Sequence, residues 1–418
     1  MNLLDLMWKF FEGIILYIFN FVGFDPLKKI NKLIKDNDID IEVNGNRKHD
    51  IKINHPKCLY KIAFGDSELV VGETYMDKEW DSDDLEGTIT AIYKSKVFNN
   101  LDKKTNFYKL FTKLFNMQNI TRSKQVGTQH YDIGNDLYEA FLDPNMQYSC
   151  GYWKNANSLE EAQNNKLDLL CRKLDLASIN LNSDEPIRIL DIGCGFGSLA
   201  KFISDKYKDK NIEITGLSIS KEQIKYAEKK FNANDQGINK SRINILFKDY
   251  RDFCNDKDNY KKFDRVISVG MFEHVGYKNY NTYFECAHNV LKDDGLFVLH
   301  TIGSGTSVTY ANRWIDKYIF PNGMLPSVTQ IGGAIEGKFI MEDWCNFGDY
   351  YADTLQVWLE RSEKFFQTTT NPIYTERFQR MWKLYLVSSK VNFRTRNIHL
   401  WQLVLSPKGI KGVLERQS

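Results

Sequence analysis

No C-x-x-C pair occurs in the 418 residues; the seven cysteines stand apart at 58, 150, 171, 194, 254, 286 and 345. Such scatter offers no metal framework, zinc included, and fits reduced thiols in a cytosolic protein. Charge of one sign is also lacking. The net charge of +2 argues against nucleic acid as an obligatory partner, because phosphate binding needs a clear basic excess. The uncharged run at 13–24 is shorter than the ~20 residues that cross a bilayer, and no small-residue cleavage site follows it. What is present is ordinary for a globular protein, 42% hydrophobic and 26% charged, in a chain too long for one core. Two or three domains are expected. The 14% of aromatic residues suits an apolar pocket.

Residues 3–22 are apolar almost all the way round a helix, with Asp5, Lys9 and Glu12 on one narrow face. Lys28, Lys29, Lys32 and Lys35 follow, a cluster suited to anionic headgroups. An amphipathic interfacial helix over 1–25 is the reading adopted; docking on the protein's own core and a true span are its alternatives. All three leave the body in the cytoplasm or at its membrane face. From 39 to 84, alternation in DIDIEVNG, HDIKINHP, CLYKIAFG and SELVVGETY predicts a small β-rich module. Helical spacing returns over 87–117. Residues 26–118 therefore read as a smaller α+β N-terminal domain, with no catalytic motif of its own.

The rest of the chain, 119–418, is organised around IRILDIGCGFGSLAKF at 187–202. A β-branched run ends in Asp191, a glycine turn follows, and a helical pattern opens after it, as in the first βαβ unit of a nucleotide-binding domain. Gly193, Gly195 and Gly197 give G-x-G-x-G, not the G-x-G-x-x-G that seats a dinucleotide. Strands are expected at 187–191, 212–217, 243–248, 263–269 and 296–301, with helices at 198–207, 220–231 and 280–290 between them. That alternation implies an α/β fold with a doubly wound, mostly parallel sheet. Helices at 354–366 and 375–391 follow, and HLWQLVLS closes the pattern as a strand at the sheet's edge. Ligands in such sheets sit beyond the carboxyl ends of the strands. The rule selects Asp191 and the glycine turn, Ser218, Asp249 and Tyr250, Glu273 and His274, and His300. A carboxylate and an imidazole converging on a nucleotide crevice form a candidate active site.

These residues and their surroundings resemble the cyclopropane-fatty-acyl-phospholipid synthase family, relatives of the mycolic acid cyclopropane synthases. The stretches that carry the likeness include HYDIGNDLYEAFLDPNMQYSCGYW (130–153), LDIGCGFGSLA (190–200), SVGMFEHVGYKNYNTYF (268–284), LHTIGS (299–304), MEDWCNFGDYYADTL (341–355) and FRTRNIHLWQLV (393–404). GETYMDKEWDSDDL (72–85) extends it into the N-terminal domain.

The resemblance implies a methyltransferase that uses S-adenosylmethionine (SAM), adding a methylene to the cis double bond of an unsaturated phospholipid acyl chain. The π-bond takes the sulfonium methyl, and the resulting carbocation loses a methyl proton to bound bicarbonate. Carried over by position, the anion cage is Cys150, Glu273, His300 and Tyr351 with the amide of Ile302. SAM would meet Tyr148 and Ser149 at its methionine end, Asp191, Gly193, Cys194 and Gly195 beneath, Ser218 and Gln223 at the ribose, and Tyr250 and Arg251 near the adenine. His274 is read as structural. Tyr310, Trp314 and Phe272 are candidate faces for positive charge. The same likeness implies peripheral association with the membrane and makes the N-terminal domain a candidate homodimer surface.

Phe196 stands where the family usually has Trp, and Ser389 where some members have Cys. Neither removes a needed group, since methyl transfer to an alkene requires no enzyme nucleophile. A lipid C-methyltransferase giving methyl-branched or methylene chains is the alternative within enzymology. A catalytically inactive lipid-binding homologue is the alternative outside it.

Overall fold

The computed structural model describes residues 25–95, 134–177, 185–232 and 242–411. The expected interfacial helix, and most of the helical pattern over 87–117, lie outside the described residues. The chain divides into two compact units, one from Met1–Thr105 with Asn371–Val391, the other from Asn106–Thr370 with Asn392–Ser418.

In the first unit the β-rich module expected over 39–84 is instead mainly helical. It contains α1 (Pro26–Asp36), β1 (Lys52–Ile53), α2 (Lys57–Phe64), α3 (Ser67–Met76), β2 (Trp80–Asp81) and α4 (Leu85–Lys94). Aspartates decide the outcome. Asp25, Asp66 and Asp84 each accept backbone N–H bonds at a helix N-terminus, satisfying donors that apolar alternation ignores. Only the two-residue pair β1–β2 is left as an antiparallel ladder. Residues 371–391, which the sequence pattern groups with the catalytic domain, belong to this unit. Arg380 from that segment lies over the Tyr75 ring at 3.9 Å and donates to the Tyr75 carbonyl.

The second unit opens with α5 (Asn135–Phe141) and α6 (Leu159–Lys173). Strand and helix then alternate: β3 (Ile187–Ile192), α7 (Ser198–Lys206), β4 (Ile212–Ser218), α8 (Lys221–Asn232), β5 (Arg242–Phe247), α9 (Tyr250–Cys254), β6 (Phe263–Val269), α10 (Tyr280–Val290) and β7 (Leu291–Ser304). After α11 (Arg313–Tyr318) and α12 (Val328–Ile335) come β8 (Ile340–Asn346) and α13 (Asp349–Thr368). In chain order α14 (Glu376–Arg394) comes next, counted with the first unit up to Val391, and β9 (Ile398–Ser406) completes the second. The seven strands lie in the order β5-β4-β3-β6-β7-β9-β8. Pairs from β5 to β7 are parallel and the two involving β9 antiparallel. The expected strand at the edge, HLWQLVLS, therefore sits inside the sheet, and β8, which the pattern did not show, takes the edge.

Strand alternation separates two cores, one on each face of the sheet. Leu190, Ile192, Val266, Phe297 and Leu299 pack with α10 residues such as Tyr283 and Phe284. Ile189, Ile214, Ile267, Val298 and Val404 pack with Leu167, Leu170 and Cys171 of α6. Period-two burial on both faces is what a covered parallel sheet requires. One cysteine expectation is corrected here. Cys254 at the end of α9 and Cys286 on α10 are joined in a disulfide, with Cα atoms 5.3 Å apart. Their 32-residue separation gave no hint that the two helices pack side by side.

Candidate active site

The glycine turn after β3 is built on positive φ angles: 84° at Gly193, 55° at Gly195 and 74° at Gly197. A β-carbon at Gly193 would fall 2.5 Å from Cγ of Met271, so side chains are excluded there by space as well as by φ. The Gly193 and Cys194 amides both donate to the Leu217 carbonyl at 3.0 Å, which ties the turn to the end of β4. Asp191 is buried at 3% exposure and accepts no side-chain hydrogen bond among the described residues. Burial lifts its carboxyl to about 7. A buried carboxylate with no donor of its own is suited to a cationic ligand group such as the SAM ammonium.

At the tip of β4, Ser218 Oγ donates to Oε1 of Gln223 at 3.1 Å and accepts the Ser220 amide at 3.1 Å. Gln223 Nε2 lies 3.9 Å from where a β-carbon on Gly195 would sit. The Tyr250 hydroxyl is buried and makes no hydrogen bond. Arg251, by contrast, is turned back onto Asp249, with Nε and Nη2 each 2.8 Å from its carboxylate. Tyr148 is wedged against Trp358 and Tyr138, at ring distances of 5.0 and 5.5 Å. Orphaned groups at Asp191 and Tyr250, together with a cradle that a β-carbon would fill, fit an adenosyl amino acid.

The residues expected to hold an anion form two groups. Glu273 occupies a single 3-10 turn, Phe272–His274, just past β6. Its Oε1 accepts the Ile302 amide at 2.7 Å, while Oε2 is buried with no partner. Burial raises this carboxyl to about 7, so near neutral pH it can hold a proton to donate. His300 stands two residues before Ile302 on β7 and is 1% exposed. Its Nδ1 lies 3.0 Å from Gln402 Nε2, and its Nε2 has no partner. Burial, with the nearby charges of Lys166 and Lys173, lowers its pKa to about 3, so the ring is neutral.

Cys150 and Tyr351 make the second group. The buried Cys150 thiol donates to the Gly151 carbonyl at 3.1 Å, and burial holds its pKa well above the ordinary value. Tyr351, at the start of α13, stacks on Phe393 at 4.5 Å and meets Trp358 edge-on at 6.0 Å. One turn further along α13, Thr354 Oγ1 accepts from the Gly151 amide at 3.1 Å and from Trp153 Nε1 at 2.9 Å. It donates to the Tyr350 carbonyl at 2.9 Å. The segment that carries Cys150 is thereby fixed to the helix that carries Tyr351. Lys166 joins the two groups: its buried ammonium acts electrostatically on both Cys150 and His300.

Lys166, Thr354 and Gln402 were not anticipated from the sequence. Each is under 3% exposed, and a Lys, a Thr and a Gln inside apolar patterns carry no motif. Burial of a polar side chain is the signal, and it exists only in three dimensions. Two of the expected aromatic faces are buried. Phe272 is fully buried and stacks on Tyr280 at 4.4 Å in the core, and Trp314 is buried against Tyr318. His274 packs edge-on to Phe320 at 6.0 Å, and burial holds its pKa near 4.

Residues 118–403 match the family model for mycolic acid cyclopropane synthetase. The cyclopropane-fatty-acyl-phospholipid synthase of Escherichia coli (strain K12) is 42% identical over 376 residues, covering 90% of this chain and 92% of that protein. The tuberculostearic acid methyltransferase UfaA1 of Mycobacterium tuberculosis is 30% identical over 376 residues, covering 85% and 83%. Among solved structures, the mycolic acid cyclopropane synthase CmaA1 complexed with SAH and CTAB superposes with a TM-score of 0.57. It is 27% identical and covers 68% of this chain and 97% of its own.

Proposed function

The chain belongs to the mycolic acid cyclopropane synthetase family of SAM-dependent methyltransferases, and on that premise we propose that it cyclopropanates unsaturated phospholipid acyl chains. The observation that carries the reading is the pair of buried, unpartnered atoms Glu273 Oε2 and His300 Nε2. Two such atoms, with Glu273 held in place through the Ile302 amide on its Oε1, suit a small oxyanion. SAM, when bound, supplies an electrophilic methyl to the alkene, and the cation so made must lose a proton for the ring to close. Bicarbonate is the anion we assign to the cage, as a weak base beside that cation.

This chain's own part is to bind, orient and exclude water. Asp191 and the Gly193–Gly195 turn hold the sulfonium donor. Glu273, held at Oε1 by the Ile302 amide, offers a proton at Oε2 to an anion, with Cys150 and Tyr351 assigned to the other side of the cage. His300 stays neutral because it is buried and faces two ammonium groups. The positive charge of Lys166 favours a bound anion over an empty, hydrated cage, whereas Lys173 is ion-paired with Asp343 at 2.9 Å. The rings of Trp358, Tyr148 and Phe393, linked through Tyr351 and one another, would give apolar surface suited to an acyl chain.

Acyl chains would reach the site from the membrane surface. On α1, Lys28, Lys32 and Lys35 accompany Leu33, which is 43% exposed, and on α2 Phe64 is 44% exposed; basic and apolar groups together suit anionic lipid. No described helix is long and apolar enough to cross a membrane. Deleting residues 1–24 should weaken liposome pelleting and spare SAM binding; unchanged pelleting would remove the interfacial helix. Self-association through residues 26–118 belongs to the same proposal, and sedimentation at several concentrations tests it.

A second reading, methyl-branched or methylene products, is favoured by the likeness to the tuberculostearic acid methyltransferase. One experiment separates the two. The chain is expressed in cells rich in unsaturated phospholipid, and acyl chains are weighed before and after hydrogenation. A gain of about 14 mass units, one CH₂ from SAM, that resists hydrogenation is the expected result. A product that takes up hydrogen supports a methylene branch, and unchanged chains oppose both readings.

A further inference from the structure

Strand pairing sets His300 of β7 directly opposite Gln402 of β9. Both side chains are at most 1% exposed, and they meet at 3.0 Å through Gln402 Nε2 and His300 Nδ1. On β7, Val298 faces the core shared with α6, and so does Val404 on β9. Two residues after Val298 on β7 and two before Val404 on β9, His300 and Gln402 occupy that same face.

We propose that Gln402 is a positioning residue: its amide N–H occupies His300 Nδ1 and thereby fixes the proton of the neutral ring on Nε2. The two ring nitrogens of a neutral imidazole divide the work, one donating and the other accepting, and the partner of one decides the role of the other. The amide orientation follows from what each choice leaves behind. As placed, Gln402 leaves one buried carbonyl oxygen, Oε1, without a partner. Reversed, the amide would bury its NH₂ where that oxygen lies. The orientation as placed thus leaves one carbonyl oxygen and one ring N–H, at Nε2, without partners, against a whole NH₂ in the reversed one, and orphaned N–H groups are rarer in proteins than an under-used carbonyl. A protonated ring is ruled out by burial beside two ammonium groups.

The consequence falls on Nε2, which is buried and bonded to nothing in the chain. It carries a hydrogen and presents a donor, not a lone pair. His300 is then a holder of an acceptor oxygen and is not the base that removes the methyl proton. This role rests on the anion-cage reading; the tautomer does not.

The test uses the whole enzyme labelled with ¹⁵N in His and Gln. Wild type is expected to show His300 protonated on Nε2, with scalar coupling across the hydrogen bond from Nδ1 to the Gln402 amide nitrogen. In Gln402→Leu the coupling vanishes and both tautomers appear. Turnover should fall roughly 10- to 100-fold, the usual effect of removing a partner that orients a ligating His, with SAM affinity within about twofold. His300 protonated on Nδ1 in wild type, absent coupling, or wild-type turnover in Gln402→Leu overturns the proposal. Wild-type turnover that ignores added bicarbonate would sink the cage reading alone and leave the tautomer assignment standing.

Discussion

The Lys166 ammonium donates to the hydroxyl of Ser149 at 2.8 Å, and both side chains are buried. That is its one hydrogen bond among the described residues, which leaves a charged group poorly compensated. Burial drops its pKa from 10.5 to about 8, equivalent to about 3 kcal/mol of destabilisation at neutral pH. The unfolded chain therefore binds the extra proton between pH 8 and 10.5, and stability rises through that window. Lys166→Met should abolish this rise and melt no lower than wild type at pH 7, while turnover falls. Calorimetry from pH 7 to 10 with a parallel assay checks it; a large loss of stability at pH 7 would show the ammonium to be structural.

Glu273 has the opposite sign. Its folded pKa is lifted from 4.5 to about 7, so its protonated form stabilises the fold below pH 4.5 and that contribution is lost as pH rises through 7. Glu273→Gln should match wild type in stability near pH 4.5 and exceed it at pH 8 by up to about 3 kcal/mol. Asp191 shifts in the same direction but is present in both proteins, so the difference isolates Glu273. Turnover should be abolished with SAM affinity nearly unchanged, as also in His300→Ala. Chemical denaturation across pH and calorimetric SAM binding test these points.

Gly193→Val should act on the other side of the site. The β-carbon meets Met271 and the positive φ is strained for a branched residue. If ~2 kcal/mol of that strain opposes the bound state, SAM affinity falls ~30-fold. Affinity equal to that of Glu273→Gln would erase the division between donor and cage residues.

Thr354→Val removes one acceptor from two donors, the buried Gly151 amide and the half-buried Trp153 indole. Each orphaned N–H costs about 1–3 kcal/mol, so a drop of about 3 kcal/mol is expected, with turnover lowered as the Cys150 segment loosens. Thr354→Ser keeps the hydroxyl and should recover most of both; thermal melts and the acyl-product assay decide.

Local signals were read well from the sequence, and distant ones were not. The strand 263–269 and the helix 280–290 appear with those bounds, because apolar periodicity and turn residues act over a few positions. The glycine turn is legible for the same reason. The segment 39–84 misled because its aspartates cap helices that its alternation hides. At β8 the pairing shifts register between Met341 and Asp343, which blurs the period-two pattern. Gln402 meets His300 across 102 residues, and nothing in either neighbourhood announces the other.

The insertion of β9 between β7 and β8 also bears on biosynthesis. A chain emerging from the ribosome delivers His300 about a hundred residues before the strand that will hold its ring. Until 398–406 slots in, β7 exposes a bare edge and the imidazole swings free. Assembly of a competent site is thus deferred to the final stage of folding, so nascent chains held short of β9 should bind the nucleotide-like donor yet turn nothing over.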